Sequence, residues 1–396
     1  AGGARVVFGV PGTQNLEFFE GLRRSSLRTV LATHELSASF MANGYSRASG
    51  KPGIVTTIPG PGFTFALTGI AEARRDSAPL IVLVQVNRRS VNRRFNLQAI
   101  DHGSMAAEIL KGHLDVASAD AIPEAMSEAF GLALSGEPGP VLVEISRLAM
   151  RQEVQRMPTM AKLELGGSTG EMGTPSAELE STVQQVSSSR RLLLLVGQGA
   201  RGASRAVRTY VQRRGAVVVS NSSGRGVVPE DDPHSVCGDF SGWAVDLVNE
   251  LVAASDLVLA LGYKFSHNGS SGYRLKIPSD RLIHVDASRE VLDGEYPSAR
   301  AICADAGTFV GRLLRQLEES PPTSPSCWAG EEMESWKARF AKRRQETTGG
   351  FPRLAGKGKL RIEEVIRKLR LVLPRDAVLV TDSGLHQTVV RRFFEV

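Results

Sequence analysis

Cysteine is scarce in this chain: Cys237, Cys303 and Cys327 are the three among 396 residues, widely spaced and without a CxxC pair. That spacing argues against a disulfide framework or a zinc knuckle and points to a reduced compartment. Aromatic residues are few, 6% of the chain, and no apolar run reaches the length needed to span a bilayer, so no membrane segment is expected. Concentrated charge is also missing. The net +6 is spread over isolated pairs such as Arg190-Arg191, Arg213-Arg214 and Arg343-Arg344, with few nearby aromatics to stack bases. Nucleic acid is therefore not the expected partner. A thin positive surplus suits anionic substrates and phosphate-bearing cofactors instead. The chain opens at Ala1-Gly2-Gly3 directly before an apolar strand, with no Met and no signal-like stretch, and the N-terminus reads as trimmed.

What is present is length and alternation. A chain of 396 residues suits two or three domains, each able to bury a core. Short apolar strands alternate with helical stretches at Val6–Val10, Leu16–Arg24, Val30–Thr33, Leu36–Ser49, Ile54–Ile58, Leu67–Arg75, Leu80–Val86, Glu124–Leu134 and Val141–Ile145. This alternation predicts consecutive α/β domains, doubly wound around mostly parallel sheets. The first covers 1–150. Residues 151–188 are polar and read as a linker carrying a helix at Ala177–Val186. A second α/β domain spans 189–319, through Leu192–Val196, Ser204–Arg214, Ala216–Ser220, Leu257–Leu261, Leu282–Val285, Ala299–Ile302 and Phe309–Glu319. A second polar linker, 320–358, begins near Pro321-Pro322 and holds a charged helical stretch at Glu331–Arg344. Residues 359–396, with the helix Ile362–Leu373 and a strand at Ala377–Thr381, read as the start of a third domain too short to bury a core.

Several motifs bear on chemistry. Gly197-Gln198-Gly199-Ala200-Arg201-Gly202 fits GxGxxG between a strand and a helix, the context of a dinucleotide site. The next strand ends Ser220-Asn221, without the acid that would hold a ribose, so a structural glycine turn or another nucleotide's phosphate competes with nicotinamide. Gly166-Gly167-Ser168-Thr169-Gly170 matches a hydrolase elbow by letter, but no strand feeds it, and chance explains it. Glu230-Asp231-Asp232 reads as a solvated loop, since adjacent carboxylates on a turn converge poorly on one ion. Glu35, after His34, stands where a parallel strand gives way to a helix, the end of an α/β sheet at which sites are built. A helix N-terminal carboxylate satisfying the macrodipole would look the same. Gly60-Pro61-Gly62 lies at the next such junction, where glycines permit close approach of a ligand or simply a tight turn.

In order and spacing these pieces resemble the thiamine-diphosphate-dependent decarboxylase and carboligase family, acetolactate synthases in particular. The resemblance runs through Phe8-Gly9-Val10-Pro11-Gly12, His34-Glu35, Met41 to Gly53 (MANGYSRASGKPG), Gly60-Pro61-Gly62, Thr68 to Ala73 (TGIAEA) and Gly136 to Val141 (GEPGPV). It continues with Gly224 to Pro229 (GRGVVP), His284-Val285-Asp286 and Thr381 to Gln387 (TDSGLHQ). It implies a thiamine-diphosphate-binding fold followed by a Rossmann-like middle domain and the opening of a diphosphate-binding domain. It also implies 2-oxo acid decarboxylation or carboligation with thiamine diphosphate and Mg2+. In that family the counterpart of Glu35 hydrogen-bonds the aminopyrimidine ring and favours its imino tautomer, while the cofactor carries the hard chemistry.

Carried over by position, Glu35, Gln98 and Lys111 are the implied catalytic and pocket residues. Pro11, Gly12, Gly60, Pro61 and Gly62 face the cofactor, and Gly384, His386 and Gln387 fall where the family grips the diphosphate. FAD is implied only for some members; its seat here would be Gly197, Gly199 and Gly202 with Lys264 and Asp286. Two departures bear on the substrate: Phe65 stands where acetolactate synthases have Asn, and Leu97 where a pocket Phe is usual; a third, Tyr263-Lys264-Phe265 where flavin-binding members place an Arg, bears on FAD. The GDG segment and its Asn, which bind the metal, are expected beyond Val396, so no metal ligand is assigned in this chain. The resemblance further implies a homodimer or tetramer, located in the cytoplasm or in an organelle matrix after removal of a transit peptide. Two other readings stay open: a non-catalytic or truncated member that keeps fold and dimer interface, and a nicotinamide-dependent enzyme using the middle domain.

Overall fold

The structure, a computed structural model, describes residues 3–86, 97–154, 174–292, 294–320, 328, 330–347 and 361–396. The chain forms two compact units, Ala1–Ser168 and Thr169–Val396. Cys327, Pro321-Pro322, the Gly166–Gly170 motif and part of each expected linker lie outside the described residues.

The first unit alternates β1 (Val6–Gly9), α1 (Leu16–Arg24), β2 (Arg28–Leu31), α2 (Glu35–Ser49), β3 (Gly53–Thr57), α3 (Pro61–Arg75) and β4 (Leu80–Val86). The short α4 (His102–Met105) leads to β5 (Gly112–Val116), α5 (Ile122–Leu134), β6 (Pro140–Ser146) and α6 (Arg147–Arg151). Its six-stranded sheet has the order β2-β1-β3-β4-β6-β5, and every pairing is parallel. Helices cover both faces, so successive residues of one strand enter opposite cores. Leu80, Val82 and Val84 pack with α2 and α3, whereas Ile81 and Leu83 pack with Phe130 of α5. This is why β4 reads as an apolar run over Leu80–Val84, broken only at Gln85. Local chemistry sets the helix ends. Pro61 opens α3, where its missing N–H is no loss, and Gly50 closes α2 at φ 68°, donating to Ser46 O.

The second unit begins with α7 (Ser176–Ser188), β7 (Leu192–Val196), α8 (Ser204–Arg214), β8 (Val217–Ser220), β9 (Ser235–Cys237), α9 (Val245–Ala254) and β10 (Leu257–Leu261). It continues through β11 (Leu282–Asp286), α10 (Arg289–Leu292), β12 (Arg300–Cys303), α11 (Ala306–Glu319), α12 (Gly330–Glu346), α13 (Ile362–Val372) and α14 (Leu385–Phe393). Its sheet, also six-stranded and parallel, runs β12-β11-β10-β7-β8-β9. The chain is thus α/β in both units, as the alternation predicts.

Some elements differ from the sequence expectation. Two stretches read as polar linkers contribute to the core: α7 buries Leu179, Val183 and Val186, and α12 buries Met333, Trp336 and Phe340. Both helices are polar in total yet have one apolar stripe, which a composition count hides. β5 and β9 are edge strands with little apolar signal, and α9 was not anticipated. Ala377–Thr381, expected as a strand, joins no ladder among the described residues. Val378 and Val380 there are 80% and 85% exposed. A strand is defined by its partner, and none of the described residues pairs with this segment.

Candidate functional site

In the first sheet the chain leaves β1 toward β2 and then returns to place β3 on the other side. The crevice outside the carboxyl ends of β1 and β3 is therefore a topological switch point, where open α/β sheets receive ligands. Two glycine turns meet there. After β1, Asn15 is fully buried and clamps the Pro11-Gly12 turn, its Oδ1 accepting from Gly12 N at 2.8 Å and its Nδ2 donating to Val10 O at 3.1 Å. A methyl group on Gly12 would lie 2.7 Å from Ile58 Cγ2 in the turn after β3.

Glu35 enters this crevice from the neighbouring strand. His34 caps α2 by accepting from Leu36 N at 3.1 Å, which leaves Glu35 as the first helical residue. Its carboxylate is buried, 9% exposed, and is aligned with the positive end of the helix dipole. Gly62, on α3, faces it: a methyl there would sit 3.2 Å from Glu35 Oε1 and 2.6 Å from Ile58 Cγ1. Gly60 lies at φ 65°, ψ −114°, outside the range of residues with a Cβ. The absence of a side chain at Gly62 lets the α3 backbone lie close to the carboxylate. Phe65 is half exposed and packs on the His34 ring at 5.0 Å.

Gln98 rests on this turn. A Cβ on Gly60 would meet Gln98 O at 3.0 Å. Gln98 is itself strained, at φ 59°, and its buried Oε1 accepts no hydrogen bond from the described residues. Strain plus an unsatisfied acceptor at the rim of a cavity is characteristic of a ligand site. That cavity, about 290 Å³, is lined by Gln98, Asp101, His102, Asp115 and Glu144 among others.

Sequence reasoning did not single out His102, His113, Asp115 or Glu144. His102, 2% exposed, accepts from Gly60 N at 2.9 Å through Nε2 and contacts Glu144 Oε1 at 2.6 Å through Nδ1. The second oxygen of Glu144 receives His113 Nε2 at 2.6 Å. Burial would raise the Glu144 carboxyl, but the hydrogen bonds from His102 and His113 outweigh it and hold the group below the ordinary carboxylate range. One signal was available in the sequence: an acid inside the buried strand Val141–Ile145 requires a partner.

The structure brings Pro11, Gly12, Glu35, Gly60, Pro61, Gly62 and Gln98 to one end of the sheet. Lys111 goes to the other. It precedes β5, its N–H donates to Pro140 O at 2.7 Å, and its amine bonds Ser135 O. Burial and then repulsion from Arg74 lower its pKa to about 8.

In the second unit, Gly197 and Gly199 occupy the β7/β10 switch point, but they face protein. A methyl on Gly197 would lie 2.1 Å from Gly262 O, and Gly199 N donates to Gly262 O at 3.0 Å. A Cβ on Gly202 would meet nothing within 4 Å among the described residues. Asn221, buried, accepts from Gly224 N at 2.8 Å. Asp286 accepts from Ser288 N at 2.9 Å, and Lys264 is part-exposed on the loop after β10. Gly384, His386 and Gln387 form the first turn of α14, with Gly384 at φ 146°. Cys237 and Cys303 are buried free thiols. Among the described residues, no three His, Cys, Asp or Glu side chains are grouped to hold a metal ion, and no helix is long and apolar enough to cross a membrane.

Comparison with known proteins finds matches in both units. Residues 1–105 match the family described as thiamine pyrophosphate enzyme, N-terminal TPP binding domain, and residues 179–313 match thiamine pyrophosphate enzyme, central domain. A probable 2-ketoarginine decarboxylase of Pseudomonas aeruginosa is 31% identical over 388 residues, which is 96% of this chain and 65% of that protein. The Escherichia coli acetolactate synthase isozyme 1 large subunit is 27% identical over 97% of this chain and 66% of its own length. A probable chloroplastic acetolactate synthase 2 of Oryza sativa subsp. japonica is 29% identical, over 97% and 58%. The chain thus spans less than two thirds of the length of these relatives. With both matched domains in α/β units of the expected kind, and the glycine turns of the first built over a buried glutamate, the chain belongs to the thiamine pyrophosphate enzyme family.

Proposed function

We propose that this chain supplies the pyrimidine-binding and central domains of a thiamine-diphosphate-dependent enzyme that decarboxylates a 2-oxo acid or joins it to a second carbonyl compound. The observation that carries the proposal is the buried Glu35 carboxylate in the switch-point crevice, with Gly62 so close that a methyl there would sit 3.2 Å from its Oε1. The glycines keep side chains from crowding the carboxylate: a Cβ on Gly62 would press on Ile58 and Glu35, and one on Gly60 on Gln98. Glu35 would hold the aminopyrimidine ring through a hydrogen bond and exchange a proton with it, Pro11-Gly12 and Gly60-Pro61-Gly62 would bound it, and Gln98 Oε1 would offer an acceptor to substrate. Bound thiamine diphosphate would supply the electron sink for the decarboxylation. Lys111, at the opposite end of β5, is left out of the proposed site.

We divide the chain as 1–150, 189–319 and the opening of a diphosphate-binding domain at 359–396, where Gly384, His386 and Gln387 begin a helix N-terminus suited to phosphate. Mg2+ is proposed to accompany the diphosphate, with no residue here assigned to it. Flavin is given no step: Gly197 and Gly199 face Gly262, and Asp286 already accepts from Ser288. The same packing, with Asn221 in place of an acid, disfavours nicotinamide. Self-association is proposed because Leu36, Phe40, Met41 and Phe65, beside the site, are 37%, 43%, 43% and 51% exposed. The proposed location is the cytoplasm or an organelle matrix.

Glu35→Gln in the full-length protein tests the assignment. Carbon dioxide release from 2-oxo acids should fall by about 10²–10⁴, while thiamine diphosphate with Mg2+ still binds, followed by titration calorimetry. Unchanged turnover would remove Glu35 from the mechanism.

A further inference from the structure

We propose that His102 is a positioning residue for the Gly60–Gly62 turn, acting as a neutral acceptor whose tautomer is fixed by Glu144. The residues come from three parts of the chain: Gly60 follows β3, His102 begins α4, and Glu144 lies within β6. A backbone N–H can only donate. The 2.9 Å bond from Gly60 N to His102 Nε2 therefore requires a lone pair on Nε2, and the ring proton must sit on Nδ1. There it donates to Glu144 Oε1 at 2.6 Å. Which nitrogen of a histidine carries the proton is set by the partner of the other, and here both partners agree. A doubly protonated imidazolium would set N–H against N–H and release the turn.

The clamp is itself supported. Glu144 is held at its second oxygen by His113 Nε2 at 2.6 Å, from the adjacent strand, so its carboxylate plane is fixed at two points. The His102 ring packs edge-on against Phe63, with centroids 4.8 Å apart. Asp101, at the start of the same helix, is engaged by Ser104 N and Oγ. On the other side of the bond, Gly60 carries the turn's conformation at φ 65°, and the next residue, Pro61, has no N–H to offer. Anchoring the Gly60 amide therefore sets where Gly62 stands over Glu35 and where Gln98 rests. Through that geometry the inference depends on the proposed cofactor site.

The full-length protein is used for the test. Nitrogen-15 imidazole spectra should show His102 protonated at Nδ1 and bare at Nε2 near neutral pH, and Glu144→Leu should relax this toward a mixture of tautomers. His102→Phe keeps a ring beside Phe63 but removes the acceptor. Exchange of the Gly60 amide should then quicken, and thiamine diphosphate affinity should weaken, each by about tenfold or more. His102→Gln, which restores an acceptor within reach, should bring both back to within about threefold of the parent. Overturning results are an Nε2-protonated His102, a tautomer indifferent to Glu144→Leu, or Gly60 exchange as fast in His102→Gln as in His102→Phe. Should His102→Phe fail to fold, the parent and Glu144→Leu spectra still decide. If the parent protein does not bind thiamine diphosphate, the proposed function fails while the tautomer and exchange data judge the clamp separately.

Discussion

Replacing Gly60 by Ala tests the turn on which the site is built. Gly60 sits at φ 65°, ψ −114°, and holding a residue with a Cβ there is strained by about 1–3 kcal/mol. The new methyl would also lie 3.0 Å from Gln98 O and 3.1 Å from its Cα and Cβ. Backbone is what must yield, so overpacking adds about 1–3 kcal/mol. The sum, about 4 kcal/mol, should lower the melting temperature of the first unit by about 8–16 °C, at roughly 2–4 °C per kcal/mol for a unit of this size. Calorimetry of the full-length protein reads this directly. All three tryptophans, Trp243, Trp328 and Trp336, belong to the second unit, so their fluorescence serves as an internal reference that moves less. Gly131→Ala provides the control. Gly131 lies in α5 with nothing within 4 Å of a Cβ, and alanine there should stabilise by about 1 kcal/mol. A Gly60→Ala protein melting within about 2 °C of the parent would refute both the strained conformation and the contact with Gln98.

The second unit carries two more predictions. Gly197→Ala places a methyl 2.1 Å from Gly262 O and 2.5 Å from Tyr263 Cα, and neither is a side chain that can rotate away. We expect a loss above about 4 kcal/mol or no folded second unit, while Gly202→Ala changes stability by under about 1 kcal/mol; equal tolerance in a thermal melt would contradict a packing role for the Gly197 turn. His284 is buried and its Nε2–H donates to Tyr263 O at 2.9 Å; burial lowers its pKa from 6.5 to about 4. Below the unfolded value the denatured chain takes up a proton that the native state refuses. The His284 contribution is therefore intact above about pH 6.5 and shrinks as pH falls toward 4, by about 3 kcal/mol in all. Urea melts followed by tryptophan fluorescence at pH 7 and 4.5 should show this loss in the parent and not in His284→Gln; parallel losses would exclude His284 as the source.

Much of the fold was legible because its signals are local. Strands buried on both faces read as near-continuous apolar runs, so Leu192–Val196 and Leu80–Val84 announce themselves. Glu35 was found for the same reason: a carboxylate directly after a strand and at a helix start is a pattern of neighbours. β5 was missed because an edge strand such as Gly-His-Leu-Asp-Val need bury little. α7 and α12 read as parts of linkers because their apolar stripes are narrow. Lys111 was carried to the pocket by resemblance alone, and its place was decided by which end of β5 it occupies.

The amino-acid sequence by itself determined the class of fold, the two α/β units and the junctions at which Glu35, Gly60 and Gly62 stand, since strand, turn and helix are chosen by residues within a few positions of one another. Only the tertiary structure decided what meets at those junctions. Gly60, His102 and Glu144 are each separated from the next by 42 positions, and Gly197 closes on Gly262. Such meetings follow from strand order and crossover paths, and the proton on His102 is placed by both of its distant neighbours together.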